Sequence, residues 1–437
     1  MLHDGNMLQD NHAVNAAGHL TVAGVDTVSL AEEFGTPLYV MDEAVLRRNM
    51  RRYADTMAKY FPAGSMPLMA SKALSIRELY RIADDEGIGA DVVSAGELYT
   101  ALSAGFPANK LYFHGSAKTM QEIRMGVEAG IACFIVDNFE ELHRISRVAG
   151  ELGVTQSVML RITPGIDPHT YEAVNTGRVD SKFGVAIETG QAFEITQEAL
   201  RTPNVRLLGF HCHIGSQIFE ATPFLDAVDI MTQYIADIRD RLGYTAEVLN
   251  LGGGIAVPYV FRDPEIDLDA YIRDICEHLA ERCRELSLPV PKVLMEPGRS
   301  IVADAGVTLY TVQNIKVIPG YKKYVAVDGG MTDNPRYALY GAEHTAIVAN
   351  KAAEPADEIV TIAGRCCESD ALIGENMALQ KAEVDDTIAV LVTGAYNYSM
   401  ASNYNRVPRS PVVMLRDGEA RVVVRRETLE DVVQYDL

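Results

Sequence analysis

One unit recurs through the first part of this chain and narrows what it can fold into: a short apolar run, then Ser, Thr or Asn, then Glu three residues on. Ser75 with Glu78, Ser94 with Glu97, Thr119 with Glu122 and Asn138 with Glu141 each follow a candidate strand, at 67–73, 89–94, 110–115 and 133–137. A side-chain oxygen that accepts from a helix's third backbone N–H, with a glutamate reaching back, marks a helix start. One such match is weak, whereas four in phase with four strands predict strand–helix units. Further apolar runs at 157–164, 207–214, 247–252 and 292–297 alternate with helical stretches. That makes about eight units, the number that closes a parallel (β/α)8 barrel of the TIM type. An open doubly wound sheet is the competing architecture.

After about Ile301 the texture changes. Candidate strands at 306–318, 324–328, 346–349, 358–364, 386–393 and 411–415 follow with few helical periods between them, and Asp417-Gly418 reads as a two-residue hairpin turn into Arg421–Val424. The expected organisation is a loose tail over 1–19, a segment over 20–40 that joins the β domain, an α/β barrel over 41–304, and a β-sandwich or β-barrel domain over 305–437. Within the barrel portion, Asp42 is a cap for a helix with apolar positions Leu46, Met50, Tyr53, Met57 and Tyr60, one face of a 3.6-residue period.

With 437 residues the chain exceeds one small core, which fits two domains. Its formal net charge of -21 argues against nucleic-acid or anionic-membrane partners, so an anionic ligand must be met by local Arg, Lys or helix N-termini. Six cysteines without CxxC spacing or disulfide density fit a reducing cytoplasm. The first residues carry acids and no apolar core, unlike a signal peptide, and no run is long enough to span a bilayer.

Barrel chemistry sits at strand ends, and here those ends carry Lys72, Asp91, His114, Arg161, His213, Gly252-Gly253-Gly254 and Glu296-Pro297-Gly298-Arg299. Lys72, near the last residue of an apolar strand, must be desolvated, used covalently, or snorkelled to solvent; desolvation favours the neutral amine that attacks an aldehyde. The glycine run can bring backbone N–H groups up to a phosphate or simply form a tight turn, and Arg299 can add a bidentate contact. Glu296 can keep a pyridine nitrogen protonated. His211 and His213 alternate on one strand face, which suggests zinc at first sight, but no further ligand follows at a suitable spacing and no metal is expected. An imidazole stacked on a flat cofactor, with Ser216 at its phosphate, accounts for this run better. Cys366-Cys367-Glu368 is either packing or a thiol proton donor beside an ammonium acceptor. Gly394-Ala395-Tyr396 and the polar run 399–405 read as ligand loops.

The motifs MASKA, GADVVSAGEL, RITPGIDPHT, DSKFGV, GFHCHIGSQ, NLGGGI, EPGRS, VDGGMTDNPRYALYGAEH, CCESD and GAYNYSMASNYN occur in this order from about Leu20 onward. Together they resemble the alanine-racemase-fold (fold type III) pyridoxal-phosphate-dependent decarboxylases, and within them the diaminopimelate decarboxylase branch. The resemblance implies pyridoxal 5'-phosphate as cofactor, Lys72 as the Schiff-base lysine, His213 stacked on the ring and Glu296 on the pyridine nitrogen. Asp91, Ser216, Gly252, Gly253, Gly254, Gly298, Arg299 and Tyr396 would complete the cofactor site. It places Arg299, Arg336, Tyr340, Glu368 and Tyr396 at the substrate, with Cys367 as proton donor. Cys367 and Glu368 would come from the neighbouring subunit of a homodimer.

The implied reaction converts meso-2,6-diaminopimelate to L-lysine and carbon dioxide. A sister decarboxylase acting on ornithine, arginine, a D-amino acid or carboxynorspermidine is the alternative; a racemase fits less well because it would place a tyrosine base where this chain has Cys367-Glu368, and a non-catalytic descendant because Lys72 and Cys367 are both present. Two stretches depart from the family pattern, MASKALS where many members have YALKAN and HGSAKT where asparagines usually follow the glycine. Both leave room for a changed substrate.

Overall fold

The computed structural model describes residues 9–166 and 181–437. The chain divides into two compact units: one comprises 49–256 with 266–298, and the other comprises the residues up to Arg48, Val257–Glu265 and Arg299–Leu437.

In the first unit, strands Met66–Ala70, Gly89–Val92, Leu111–Phe113, Cys133–Val136, Gln156–Thr163, Val205–His211, Val248–Asn250 and Lys292–Met295 pair in parallel, each with the next. Leu294 and Met295 then pair with Met66 and Pro67, so the sheet closes on itself. These strands are almost continuously apolar because both faces are covered, by helices outside and by each other's side chains within. Leu68, Cys133, Ile135, Met159 and Leu294 fill the interior as one buried cluster, which makes the barrel a packed core with chemistry confined to its rim. The open-sheet alternative is thereby excluded.

Three of the four expected helix caps form. Ser94, Thr119 and Asn138 accept from the backbone N–H of Glu97, Glu122 and Glu141, and Thr119 with Glu122 makes the full reciprocal box. The first does not: helix Arg77–Asp85 starts after Ile76, while Ser75 Oγ lies 3.4 Å from the Tyr80 hydroxyl. The strands are also shorter than expected at their C-terminal ends, since the chain leaves the ladder to form the rim.

The second unit is built on the long strand Gly306–Ile318. It pairs antiparallel with Lys322–Val327, Thr387–Leu391 and Leu38–Asp42, and the last of these pairs in parallel with Val412–Arg416. Tyr310, Val312, Val325, Ile362 and Ile388 belong to its buried core. Asp417 and Gly418 both have positive φ, 53° and 81°, as a two-residue hairpin turn requires, and the return strand is Glu419–Val424.

Three features differ from the sequence reading. His12–Val14 pairs with Leu20–Val22, so part of the expected loose tail is held in a small sheet. Val257–Glu265 groups with the β-rich unit although it lies between two barrel strands in sequence, and so do the residues from Arg299 on. An unforeseen strand, Leu372–Leu379, pairs with Glu358–Ala363. Among the described residues, no helix is long and apolar enough to cross a membrane.

Candidate active site

Strand Met66–Ala70 stops two residues before Lys72, which lies in the one-turn helix Ser71–Ala73. Its neighbours anchor that turn: Ser71 is fully buried and donates its hydroxyl to the carbonyl of Asp91, Tyr80 donates to Ser71 Oγ at 2.7 Å, and Ala73 is buried. Lys72 itself is exposed, which corrects the expectation of a desolvated ammonium inside a strand. The physical reason is the early end of the strand, which puts the side chain beyond the packed interior. Covalent attack needs access, and a rigid turn with one exposed amine provides it. The lysine's charge opposes the upward shift of Asp91 and Glu97 and depresses His213.

Asp91 is 3% exposed, and its Oδ1 has no hydrogen-bond partner. Burial first, and then the negative charge of Glu296, push its carboxyl well above the usual range.

Glu296 follows strand Lys292–Met295 and is the polar centre of this rim. His211 Nε2 lies 3.2 Å from Oε2, Asn250 Nδ2 donates to Oε1 at 2.8 Å, and His114 Nε2 lies 2.7 Å from Oε1, off the line of a straight hydrogen bond. Burial alone would raise Glu296, but the two imidazoles outweigh it and hold the carboxyl well below its ordinary value. Burial in turn drives His211 down to about 4 and lowers His114. The cluster thus favours a charged carboxylate, while burial works against charge on either ring.

His114, His211 and Glu296 bring their potential ligand atoms within 4.8 Å of one another. The histidine pair of this cluster is His114 with His211, unlike the alternating His211 and His213 of the sequence. Strand Val205–His211 ends at His211, so His213 stands beyond it, half-buried, while His211 is fully enclosed.

The glycine run closes the rim on close backbone approaches. A Cβ on Gly253 would lie 2.0 Å from the carbonyl oxygen of Glu296, and one on Gly252, whose φ is 69°, would lie 2.6 Å from that of Cys212 and 2.9 Å from the His213 ring. No residue with a side chain fits either position. Ser216 is half-buried, and Gly298 packs where a Cβ would sit 2.9 Å from that of Ala70.

The β-rich unit carries a second polar cluster. Arg299 and Arg336 are 6% and 8% exposed. Arg299 donates to the Tyr259 hydroxyl at 2.8 Å, and its guanidinium carbon lies 4.8 Å from the centre of the Tyr396 ring. Arg336 lies 4.7 Å from the ring centre of Tyr340 and 5.4 Å from that of Tyr396, and its Nε is buried with no hydrogen-bond partner. Burial, and then the nearby Arg299 charge, lower Arg336. Enclosed guanidinium groups beside aromatic faces have the chemistry to bind a carboxylate or phosphate. Tyr259, from the segment that interrupts the barrel in sequence, is missing from the sequence reading, as are Asn250 and the coupling of His114 to Glu296.

Beyond strand Glu358–Ala363, Cys366 is buried and Cys367 exposed. The backbone N–H of Cys367 donates to Asn405 Oδ1 at 2.9 Å, and the Tyr404 hydroxyl donates to the carboxylate of Glu368. The run RITPGIDPHT continues from Ile166 into 167–170, which lie outside the described residues, as does Asp180 of DSKFGV.

Residues 44–303 match the family model described as pyridoxal-dependent decarboxylase, pyridoxal binding domain. The diaminopimelate decarboxylase of Bacillus methanolicus is 46% identical over 414 residues, 95% of this chain and 96% of that one. That of Bacillus subtilis is 44% identical, covering 97% and 96%. The crystal structure of diaminopimelate decarboxylase from M. jannaschii in co-complex with L-lysine matches with a TM-score of 0.89 at 36% identity, covering 98% of each chain.

Proposed function

The chain belongs to the diaminopimelate decarboxylase family of pyridoxal-dependent enzymes, and on that basis we propose that it converts meso-2,6-diaminopimelate to L-lysine and carbon dioxide. The observation that carries this reading is the pairing, on one barrel rim, of an exposed lysine on a rigid turn with a buried carboxylate held charged by two imidazoles and an amide. Residue for residue, that rim fits pyridoxal 5'-phosphate. Lys72 would offer an amine to the aldehyde, Glu296 an anion to the ring nitrogen, and the glycine run backbone N–H groups to the phosphate.

Bound pyridoxal phosphate supplies an aldehyde for amine exchange and a protonated ring that accepts the electrons left when carbon dioxide departs. Lys72 would hold the cofactor through its aldehyde carbon. Glu296 would keep the proton on the ring nitrogen, His213 would support the ring face, and Gly252 to Gly254 with Ser216 would receive the phosphate. Asp91 and Gly298 shape the same rim.

Arg299, Arg336, Tyr340 and Tyr396 bind the carboxylate that is retained in the product, since a guanidinium fork flanked by tyrosines matches a carboxylate's geometry. Cys367 returns the proton to the carbon that has lost its carboxylate, and Glu368 holds the distal ammonium. Both act from the neighbouring subunit of a homodimer, and the enzyme works in the cytoplasm.

The test follows carbon dioxide release from meso-diaminopimelate, ornithine, arginine, D-amino acids and carboxynorspermidine. Release from meso-diaminopimelate at a kcat/KM at least a hundredfold above the others is expected. Preference for any other member of the panel would replace the substrate, and release from none would refute the reading.

A further inference from the structure

Asn250 and Glu296 are joined through an amide whose orientation is fixed. The backbone N–H of Gly252 donates to Asn250 Oδ1 at 2.9 Å, so the oxygen end of the amide is known and the NH2 must face Glu296 Oε1. The proton of His211 is placed by the same reasoning. Its Nδ1 is buried with no partner, and a proton there would be a stranded donor; on Nε2 it meets the Glu296 carboxylate. Both side chains are fully buried, on two different strand ends.

A carboxylate offers about four acceptor directions. Asn250 and His211 take two of them and His114 stands close without a straight hydrogen bond, which leaves room for a further donor such as a protonated ring nitrogen. Glu296 buried without these donors would favour its neutral acid form, which cannot hold a proton on a neighbouring ring.

We propose that His211 and Asn250 are positioning residues that keep the Glu296 carboxylate charged and fixed in angle toward the cofactor ring, an inference that rests on the role given to Glu296 above. Asn250 also ties the glycine run to the carboxylate, so the two ends of the cofactor are read by one rigid element.

His211→Leu removes the donor, His211→Gln can restore an N–H, and Asn250→Asp sets a second carboxylate against Glu296 while keeping the acceptor for Gly252. His211→Leu should lower kcat by about tenfold to hundredfold with KM little changed, and should alter the visible absorption band of the bound cofactor. His211→Gln should recover most of both, and Asn250→Asp should fall at least as far as His211→Leu. Glu296→Gln separates the two levels: if it turns over at the wild-type rate, the role of Glu296 fails. If it is impaired while His211→Leu and Asn250→Asp keep wild-type kcat and spectrum, the positioning inference alone fails. In the cofactor-free wild-type protein, nitrogen-15 NMR of labelled histidine should show a neutral His211 with its proton on Nε2. The opposite tautomer, or one tightly held zinc per chain on His114, His211 and Glu296, would overturn it.

Discussion

Lys118 places its ammonium 2.7 Å from Glu141 with both side chains almost wholly enclosed, at 1% and 4% exposure. The same nitrogen donates to the carbonyls of Gly115 and Ile135, each at 2.8 Å. One buried cation thus ties the loop after strand Leu111–Phe113, which begins with His114, to strand Cys133–Val136 and to helix Phe139–Glu151. Removing one partner strands the other charge, so Lys118→Met should destabilise the barrel by about 3–5 kcal/mol. The double variant Lys118→Met with Glu141→Gln should lose less than Lys118→Met alone. Urea denaturation measures both, and a single variant within 1 kcal/mol of wild type, roughly the value of an exposed pair, would contradict the account.

The pH dependence of stability should carry a signature of Asp333. Burial lifts this carboxyl to about 6, against the hydrogen bonds it accepts from Tyr310, Gly330 and Thr332. Between about pH 4 and 6 the native state therefore holds a proton that the unfolded chain has released. Stability falls as pH rises through that window and is flat in this component above it, by about 2–3 kcal/mol in total. Asp333→Asn should remove this slope, which denaturation between pH 4 and 7 measures directly.

The course of the barrel was legible because its signal is local. Apolar runs and capping residues sit within a few positions of each other, so Ser94, Thr119 and Asn138 are cap residues in sequence and in structure alike. Ser75 misleads because the chain needs a rim turn there, and Tyr80 lies close to its hydroxyl. Strand Leu372–Leu379 is obscured by Gly374 and by Asn376 at a φ of 54°, which break its alternation. The candidate site was legible as residue types at strand ends. Its wiring was not, because Glu296 finds His114, His211 and Asn250 at separations no spacing rule covers. Burial of Lys72 likewise depended on where the strand stopped.

Gly253→Ala should disturb the rim directly, since its Cβ would lie 2.0 Å from a backbone oxygen. A loss of stability of about 1–3 kcal/mol is expected, together with at least a tenfold weaker hold on the cofactor by equilibrium dialysis. Gly96→Ala is the control. It lies in helix Ala95–Ser103 with the nearest atom to its Cβ at 3.7 Å, so it should keep wild-type affinity and gain up to about 1 kcal/mol.

The two adjacent cysteines should separate cleanly. Within one chain Cys367 is exposed and Cys366 buried, so a small thiol reagent that can enter the active site should label Cys367 well before Cys366. Cys367→Ser should lower kcat by about a hundredfold or more as a proton donor is weakened, and Cys366→Ser should leave turnover near wild type. Equal losses from both substitutions would contradict the assignment.

Lys72 is the amine expected to carry the cofactor. Borohydride reduction of the cofactor-loaded protein makes that bond permanent, and peptide mapping by mass spectrometry then identifies the modified lysine. The prediction is a single pyridoxyl adduct on Lys72, absent from Lys72→Ala. An adduct on Lys118 or any other lysine, or an unchanged yield in Lys72→Ala, would contradict it.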